Sequence, residues 1–498
     1  MVSPNYERLT ALDNSFLLLE RPNQYTHVAS TLVFDAGPLR LPDGGIDFPA
    51  IREAHARVLH RIPRYRQVLK YIPLESHPVW IDDPNFDLGY HLRHTALPKP
   101  GTDEQLKRLS ARIMQQHLDR SRPLWESWVV EGLEGDRFAI ISKVHHCMID
   151  GVSGVDLIQI LLSTQADAEL PETPDYIPRR TPSSLELLRD EALRRLSLPV
   201  RAVADVRHFF QEADDARREV TTRLRAVAET LGASLWSATE TPINRPIGPH
   251  RRYDWAQTSI ADIRDVRKAL GGSVNDIVLT IVTGAFRRFL THRRVPLGDL
   301  DFRVMAPVSV RAQNERNALG NRVSAWVLSL PLAEDDPMQQ LALIRARTAE
   351  LKESKQALGA ELLTQVAEWT PSTLLSLGAR NATRLLPINT VVTNVPGPQV
   401  PMYLRGAPLL EAYPHVPLVD NMGLGIALLS YNGVLHWGVN ADYDLVPDID
   451  FFMEALRESF CELRTAADLP GEAARVRRQP AKTPTNGRVP DVVEGGPH

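Results

Sequence analysis

The alternation of apolar and polar positions predicts a layered α/β chain. THVASTLVF at 26–34 has the period of a strand, with Val28, Leu32 and Phe34 on one face. Residues 49–61 and 103–118 are rich in helix formers, and Leu106, Leu109 and Ile113 give the second of these an apolar stripe. WESWVVEG, a short turn at Leu133 to Asp136, and RFAIISKVHH predict two strands joined as a hairpin. GVSGVDLIQILL then predicts a buried helix. Strands and helices thus alternate through the first half, as in an α/β layer.

Proline and charge dominate LPETPDYIPRRTP, which marks a linker. Residues 183–232 are charged and mostly helical in pattern, interrupted at Pro199. They suit either a solvated connector with one apolar face or a surface that meets a membrane or lipid droplet. A second α/β unit begins near Arg251. It holds helices at 261–270 and from Val274 to Leu290, strands in FRVMAPVSV and RVSAWVLSLP, and a helical segment from about Asp336. Further strands are INTVVTN and MGLGIALLS, the latter joined to VLHWGVN through Tyr431-Asn432-Gly433. Asn-Gly between apolar runs is the strongest short hairpin signal. The expected organisation is an N-terminal domain at 1–170, a linker and charged helical connector at 171–245, a C-terminal domain at 246–469 and a disordered tail at 470–498.

Length and composition narrow the function classes. A chain of 498 residues exceeds one ordinary core. Net charge is −4, and no basic tract carries interleaved aromatics, so nucleic-acid binding is not expected. Cys147 and Cys461 are the only cysteines, which excludes a disulfide framework and suits a reducing cytosol. MVSPNYERLT lacks the features of a signal peptide, and the longest apolar runs, such as IVLTIVTGAF, are about half a bilayer span. The expectation is a cytoplasmic protein whose membrane contact, if it has any, is peripheral.

The chemistry is concentrated in His145-His146-Cys147-Met148-Ile149-Asp150-Gly151. If RFAIISKVHH stays extended to its end, His146 shares a face with Val144, Ser142 and Ile140 while His145 points the other way. Adjacent histidines that diverge chelate one metal poorly, and no H-E-x-x-H pattern is present, so no metal is expected. GVSGV at 151–155 is not a nucleophile elbow, because its second glycine comes one residue early. Cys147 suits a small buried apolar residue better than a nucleophile. GLGIAL at 423–428 lacks the final glycine of a dinucleotide loop, and no phosphate-binding Walker pattern exists.

HHxxxDG resembles the signature of the CoA-dependent acyltransferase superfamily, which includes chloramphenicol acetyltransferase and peptide-synthetase condensation domains. TALDNSFLLLE at 10–20, RPLW at 122–125, IGPHRR at 247–252, SVNDIVL at 273–279 and NVPGP at 394–398 resemble, in order, segments of the wax ester synthase/diacylglycerol O-acyltransferase family. The resemblance spans about residues 8–465. It implies two similar chloramphenicol-acetyltransferase-like α/β domains, each a mixed sheet with flanking helices, and a channel between them lined by apolar residues of both. It further implies transfer of a long-chain acyl group from acyl-CoA, a co-substrate, to diacylglycerol or a long-chain alcohol, with no other cofactor.

On this resemblance His146 is the general base that takes the acceptor's hydroxyl proton, and no acyl-enzyme forms. His145 packs inward. Asp150 faces away from the substrates and pairs with an arginine, for which Arg311 is the candidate, while Gly151 closes the turn. Asn275 would hydrogen-bond near the reacting oxygens with Asp276 placing it, although Ser273, Asn275 and Asp276 also suit a helix N-cap. Trp125 is expected to pack in the core. Two other functions remain open: a condensation-type enzyme charged by a carrier protein, and a non-catalytic lipid-droplet binding protein.

Overall fold

A computed structural model describes residues 5–75, 77–148, 154–196, 238–309, 323–353 and 388–469. In chain order its first strands are β1 (Glu7–Arg8), β2 (His27–Asp35), β3 (Gln67–Tyr71), β4 (Pro78–Asp82), β5 (Leu92–Ala96), β6 (Trp125–Leu133) and β7 (Arg137–His145). After the connector come β8 (Arg251–Ser259), β9 (Phe302–Ser309), β10 (Val323–Leu330) and β11 (Thr390–Pro396). The last four are β12 (Tyr403–Leu404), β13 (Ala407–His415), β14 (Leu424–Tyr431) and β15 (Val434–Asp442). These make two six-stranded sheets, β12-β13-β2-β7-β6-β5 and β10-β9-β11-β14-β15-β8, and a small sheet β1-β4-β3. Both large sheets are mixed, with β5–β6, β9–β11 and β11–β14 parallel. The α/β class with two mixed sheets and flanking helices is the one expected.

In the first sheet β2 pairs with β7 so that His27 lies opposite His145 and Phe34 opposite Phe138. The two phenylalanines stack at 5.0 Å within the apolar layer under the sheet. The second sheet carries the helices Val274–His292 and Ile449–Ala466 on one face, where Phe286, Phe289, Phe302 and Phe452 fill a continuous core. Asn432 and Gly433 both have positive φ, 44° and 83°. That is the backbone of a type I′ turn, which fits the right-handed twist of the β14–β15 hairpin.

β13 is not among the strands that the pattern predicts. APLLEAYPH lies inside 246–469, yet it completes the first sheet beside β2 instead of the second. The crossing is tight. A Cβ on Gly438 of β15 would sit 1.8 Å from the carbonyl oxygen of Pro414 on β13, so only glycine admits this approach. Tyr253 of β8 donates to that oxygen at 3.0 Å and stacks on His415 at 3.5 Å. The two halves are therefore joined by an exchanged strand as well as by the connector. Residues 184–196 are helical. The expectations for 197–232 and for the tail at 470–498 fall outside the described residues.

Candidate active site

Two backbone hydrogen bonds hold the end of β7. The backbone N–H of His145 donates to Leu124 O at 2.9 Å, and that of His146 donates to Thr26 O at 2.8 Å. Extended structure stops at His145, and His146 opens a 3-10 turn, His146–Met148. The strand therefore does not run through both histidines as expected. The turn still separates the two rings, because it drives Cys147 and Met148 into the apolar cluster with Leu17, Leu124 and Trp125.

His145 is buried, and its protonation follows from its neighbours. Cys147 N–H donates to Nδ1 at 3.1 Å, so in the neutral ring the proton sits on Nε2. Thr26 Oγ1, 3.1 Å from Nε2, has already given its own hydrogen to Phe16 O at 3.0 Å and is left as an acceptor. Glu20 Oε1 lies 3.3 Å from the same Nε2 and 3.2 Å from Nε2 of His27. The other carboxylate oxygen accepts from Arg120 at 2.7 Å. Burial opposes charge on Glu20, but the close imidazoles of His145 and His27 outweigh it and hold the carboxyl well below the usual range.

The ligand atoms of Glu20, His27 and His145 lie within 4.8 Å of one another, a spacing that could hold a metal ion. The donor set fits a proton-bearing network better. A metal on His145 Nε2 would need that nitrogen bare while Nδ1 still accepts the Cys147 N–H, which leaves the ring no place for its proton.

His146 is partly exposed and stacks on Phe16, centroids 3.9 Å apart and planes at 23°. Its Nδ1 is buried without a hydrogen-bond partner. Burial, with a smaller contribution from His145, lowers its pKa to about 4. The ring is thus neutral near pH 7 and able to accept a proton. Cys147 is fully buried, and burial raises its thiol well above the ordinary value, the opposite of an activated nucleophile.

Trp125 is 1% exposed, stacks on Tyr65 and His91 at 4.5 and 4.7 Å, and donates from Nε1 to Tyr65 O at 2.9 Å. Ser273 and Asp276 form a capping box at the start of Val274–His292, and Asp276 Oδ1 also accepts from Thr348 Oγ1 at 2.9 Å. Asp276 thereby pins this helix to Pro337–Glu353. Asn275 instead faces outward and accepts from Asn394 Nδ2 at 2.8 Å. The SVND and NVPGP segments meet there and line a cavity of about 700 Å³ with Trp326, Lys352 and Leu435. Val395, between Asn394 and Pro396, packs on the cluster that contains Ile158 and Leu162, just past the histidine turn. In IGPHRR, Arg251 is buried and donates to Gly248 O at 2.7 Å and to Asn23 O, which ties β8 to the N-terminal segment. Asp150, Gly151 and Arg311 lie outside the described residues.

Glu20, Thr26, Arg120 and Phe16 are site residues to which the sequence assigned no role. The signal for Glu20 was present, since it ends TALDNSFLLLE. Its task depends on residues 20, 120 and 145 meeting in space.

The fold is that of the condensation-type acyltransferases. The starter condensation domain of rhizomide synthetase superposes with a TM-score of 0.55 over 93% of this chain and 95% of that one, at 16% identity, a likeness of fold alone. A wax ester synthase/diacylglycerol acyltransferase from Marinobacter aquaeolei VT8 superposes with a TM-score of 0.65 at 26% identity, over 93% of this chain and 100% of that one. The wax ester synthase/diacylglycerol acyltransferase catalytic domain matches residues 9–278, and the WS/DGAT C-terminal domain matches 319–464. A putative diacylglycerol O-acyltransferase of Mycobacterium tuberculosis is 33% identical over 475 residues, 92% of this chain and 91% of the relative. A probable diacylglycerol O-acyltransferase of the same species is 31% identical over 465 residues, 91% and 95% of the two chains. The chain belongs to the wax ester synthase/diacylglycerol acyltransferase family and is an O-acyltransferase.

Proposed function

We propose that the protein transfers a long-chain acyl group from acyl-CoA to the hydroxyl of diacylglycerol or a long-chain alcohol, with His146 as general base. The observation that carries this reading is the neutral, partly exposed His146 ring, whose Nδ1 has no hydrogen-bond partner. The imidazole takes the acceptor's proton as its oxygen attacks the thioester carbonyl. The thioester C–S bond breaks, and the CoA thiolate receives a proton from the imidazolium. No covalent enzyme intermediate is required, which agrees with the burial of Cys147.

Asn275 and Asn394 offer carboxamide groups to the cavity they line, a donor and acceptor set that complements the amides of an acyl-CoA arm. The acceptor would reach His146 from a water-insoluble phase, so the enzyme would work at a lipid surface to which it binds peripherally. The test is incubation with palmitoyl-CoA and either diacylglycerol or hexadecanol, with products separated by lipid chromatography. Triacylglycerol or wax ester is expected. Acyl transfer only from a carrier-bound donor, or none at all, would overturn the reading.

A further inference from the structure

Among the described residues, the four most exposed large apolar side chains are Leu74 (95%), Ile177 (82%), Leu185 (76%) and Leu196 (74%). All four belong to one small unit, the β3–β4 hairpin with the linker and helix that cover it. Leu187 of helix 184–196 is fully buried against Ile72, Val79 and Ile81, which seats the helix on the hairpin. Leu185, Arg189, Leu193 and Leu196 follow at helical spacing on the outer face. Leu74, at the hairpin turn, has φ 66°. A leucine in the left-handed region is strained, and this one recovers nothing by packing, so its presence needs a reason outside the fold.

The ion pairs of the unit share one orientation. In Arg179–Asp82, Arg180–Glu186, Arg189–Asp190 and Arg195–Glu75 the arginine is the more exposed partner, at 42, 64, 68 and 49% against 12, 34, 28 and 8%. In these four pairs the guanidinium is the outer group beside the exposed leucines, while Glu172 and Asp175 of the linker are exposed as well. Protruding apolar side chains insert among acyl chains, and outward arginines meet anionic headgroups. No single helix among the described residues is long and apolar enough to cross a membrane, so binding here would lie in the plane of the interface.

We propose that this hairpin–helix face docks the enzyme on an anionic lipid surface. The choice of a lipid partner rests on the functional reading above. The test is flotation of the full chain with vesicles of phosphatidylcholine alone or mixed with phosphatidylglycerol. The comparison is a variant carrying Leu74→Asn, Leu185→Gln, Leu193→Gln and Leu196→Gln, exposed positions whose replacements suit a left-handed turn and a helix.

The wild type should float with the mixed vesicles, and the variant should bind them at least ~10-fold more weakly with an unchanged melting temperature. Arg180→Gln with Arg189→Gln should reduce the preference for the anionic vesicles. Equal flotation of wild type and variant would overturn the proposal, as would a wild type that ignores both vesicles. So would an apolar face that self-associates without lipid, shown by a larger sedimenting mass that the variant lacks. Flotation does not depend on turnover, so a chain that floats normally but forms no ester would sink the functional reading alone.

Discussion

Cys147 donates its backbone N–H to Nδ1 of His145 at 3.1 Å, and that bond decides which way the buried histidine faces its carboxylate. With Nδ1 occupied, the Nε2–H is directed at Thr26 and Glu20, and the turn that presents His146 is fastened to the first sheet. On the function proposed above, His145 and Glu20 would act as positioning residues, through the turn.

Glu20→Ala should therefore lower both stability and turnover. Loss of a buried hydrogen-bonding carboxylate costs about 1.5–3 kcal/mol, measurable as a drop in denaturation midpoint. Glu20→Gln, which keeps the shape and one acceptor, should recover part of both. Equal stability and activity in all three proteins would show that the network does not hold the turn.

Cys147→Ala should retain most activity, because the thiol is buried and no acyl-enzyme is required. Reaction with a thiol-directed reagent should label the exposed Cys461 and spare Cys147. An inactive but folded Cys147→Ala protein would point to covalent catalysis.

The Asn275–Asp276 pair divides into two tasks. Asp276→Ala removes a capping box and a tie to Thr348, and should cost about 1–2 kcal/mol of stability while the folded enzyme keeps its KM values. Asn275→Ala should leave the melting temperature nearly unchanged and raise the KM for acyl-CoA. The reverse pattern would place the chemistry on Asp276.

Stability should fall on mild acidification. Burial lowers the pKa of His27, His77, His146 and His436 to about 4 and that of His415 to about 3, from the ordinary 6.5. Between these values the unfolded chain binds protons that the folded one does not. Stability present above pH 6.5 is therefore lost progressively toward pH 4. Thermal melts across that range check the sign, and a flat profile would contradict the burial of these rings.

The elements whose partners lie nearby were legible in the sequence. The β6–β7 hairpin and the Asn432-Gly433 turn carry their own pattern of apolar alternation and turn residues. β13 was not legible, because its partner β2 lies almost the whole chain away and nothing local says which sheet a strand will join. The last helix was legible in principle, since Asp448 stands at its N-cap position and Phe452, Leu456, Phe460 and Leu463 form a stripe. At the site, the segments around His146 could be named, whereas the bonds of Glu20 to His145 and Arg120 depend on packing that no spacing encodes.

The central claim is that His146 removes the acceptor's proton, and turnover of palmitoyl-CoA by His146→Ala tests it most directly. The account predicts a loss of about 10²–10⁴-fold, the usual worth of a general base, in a protein that melts like the wild type and still binds acyl-CoA. Near-normal turnover by that folded variant would contradict it.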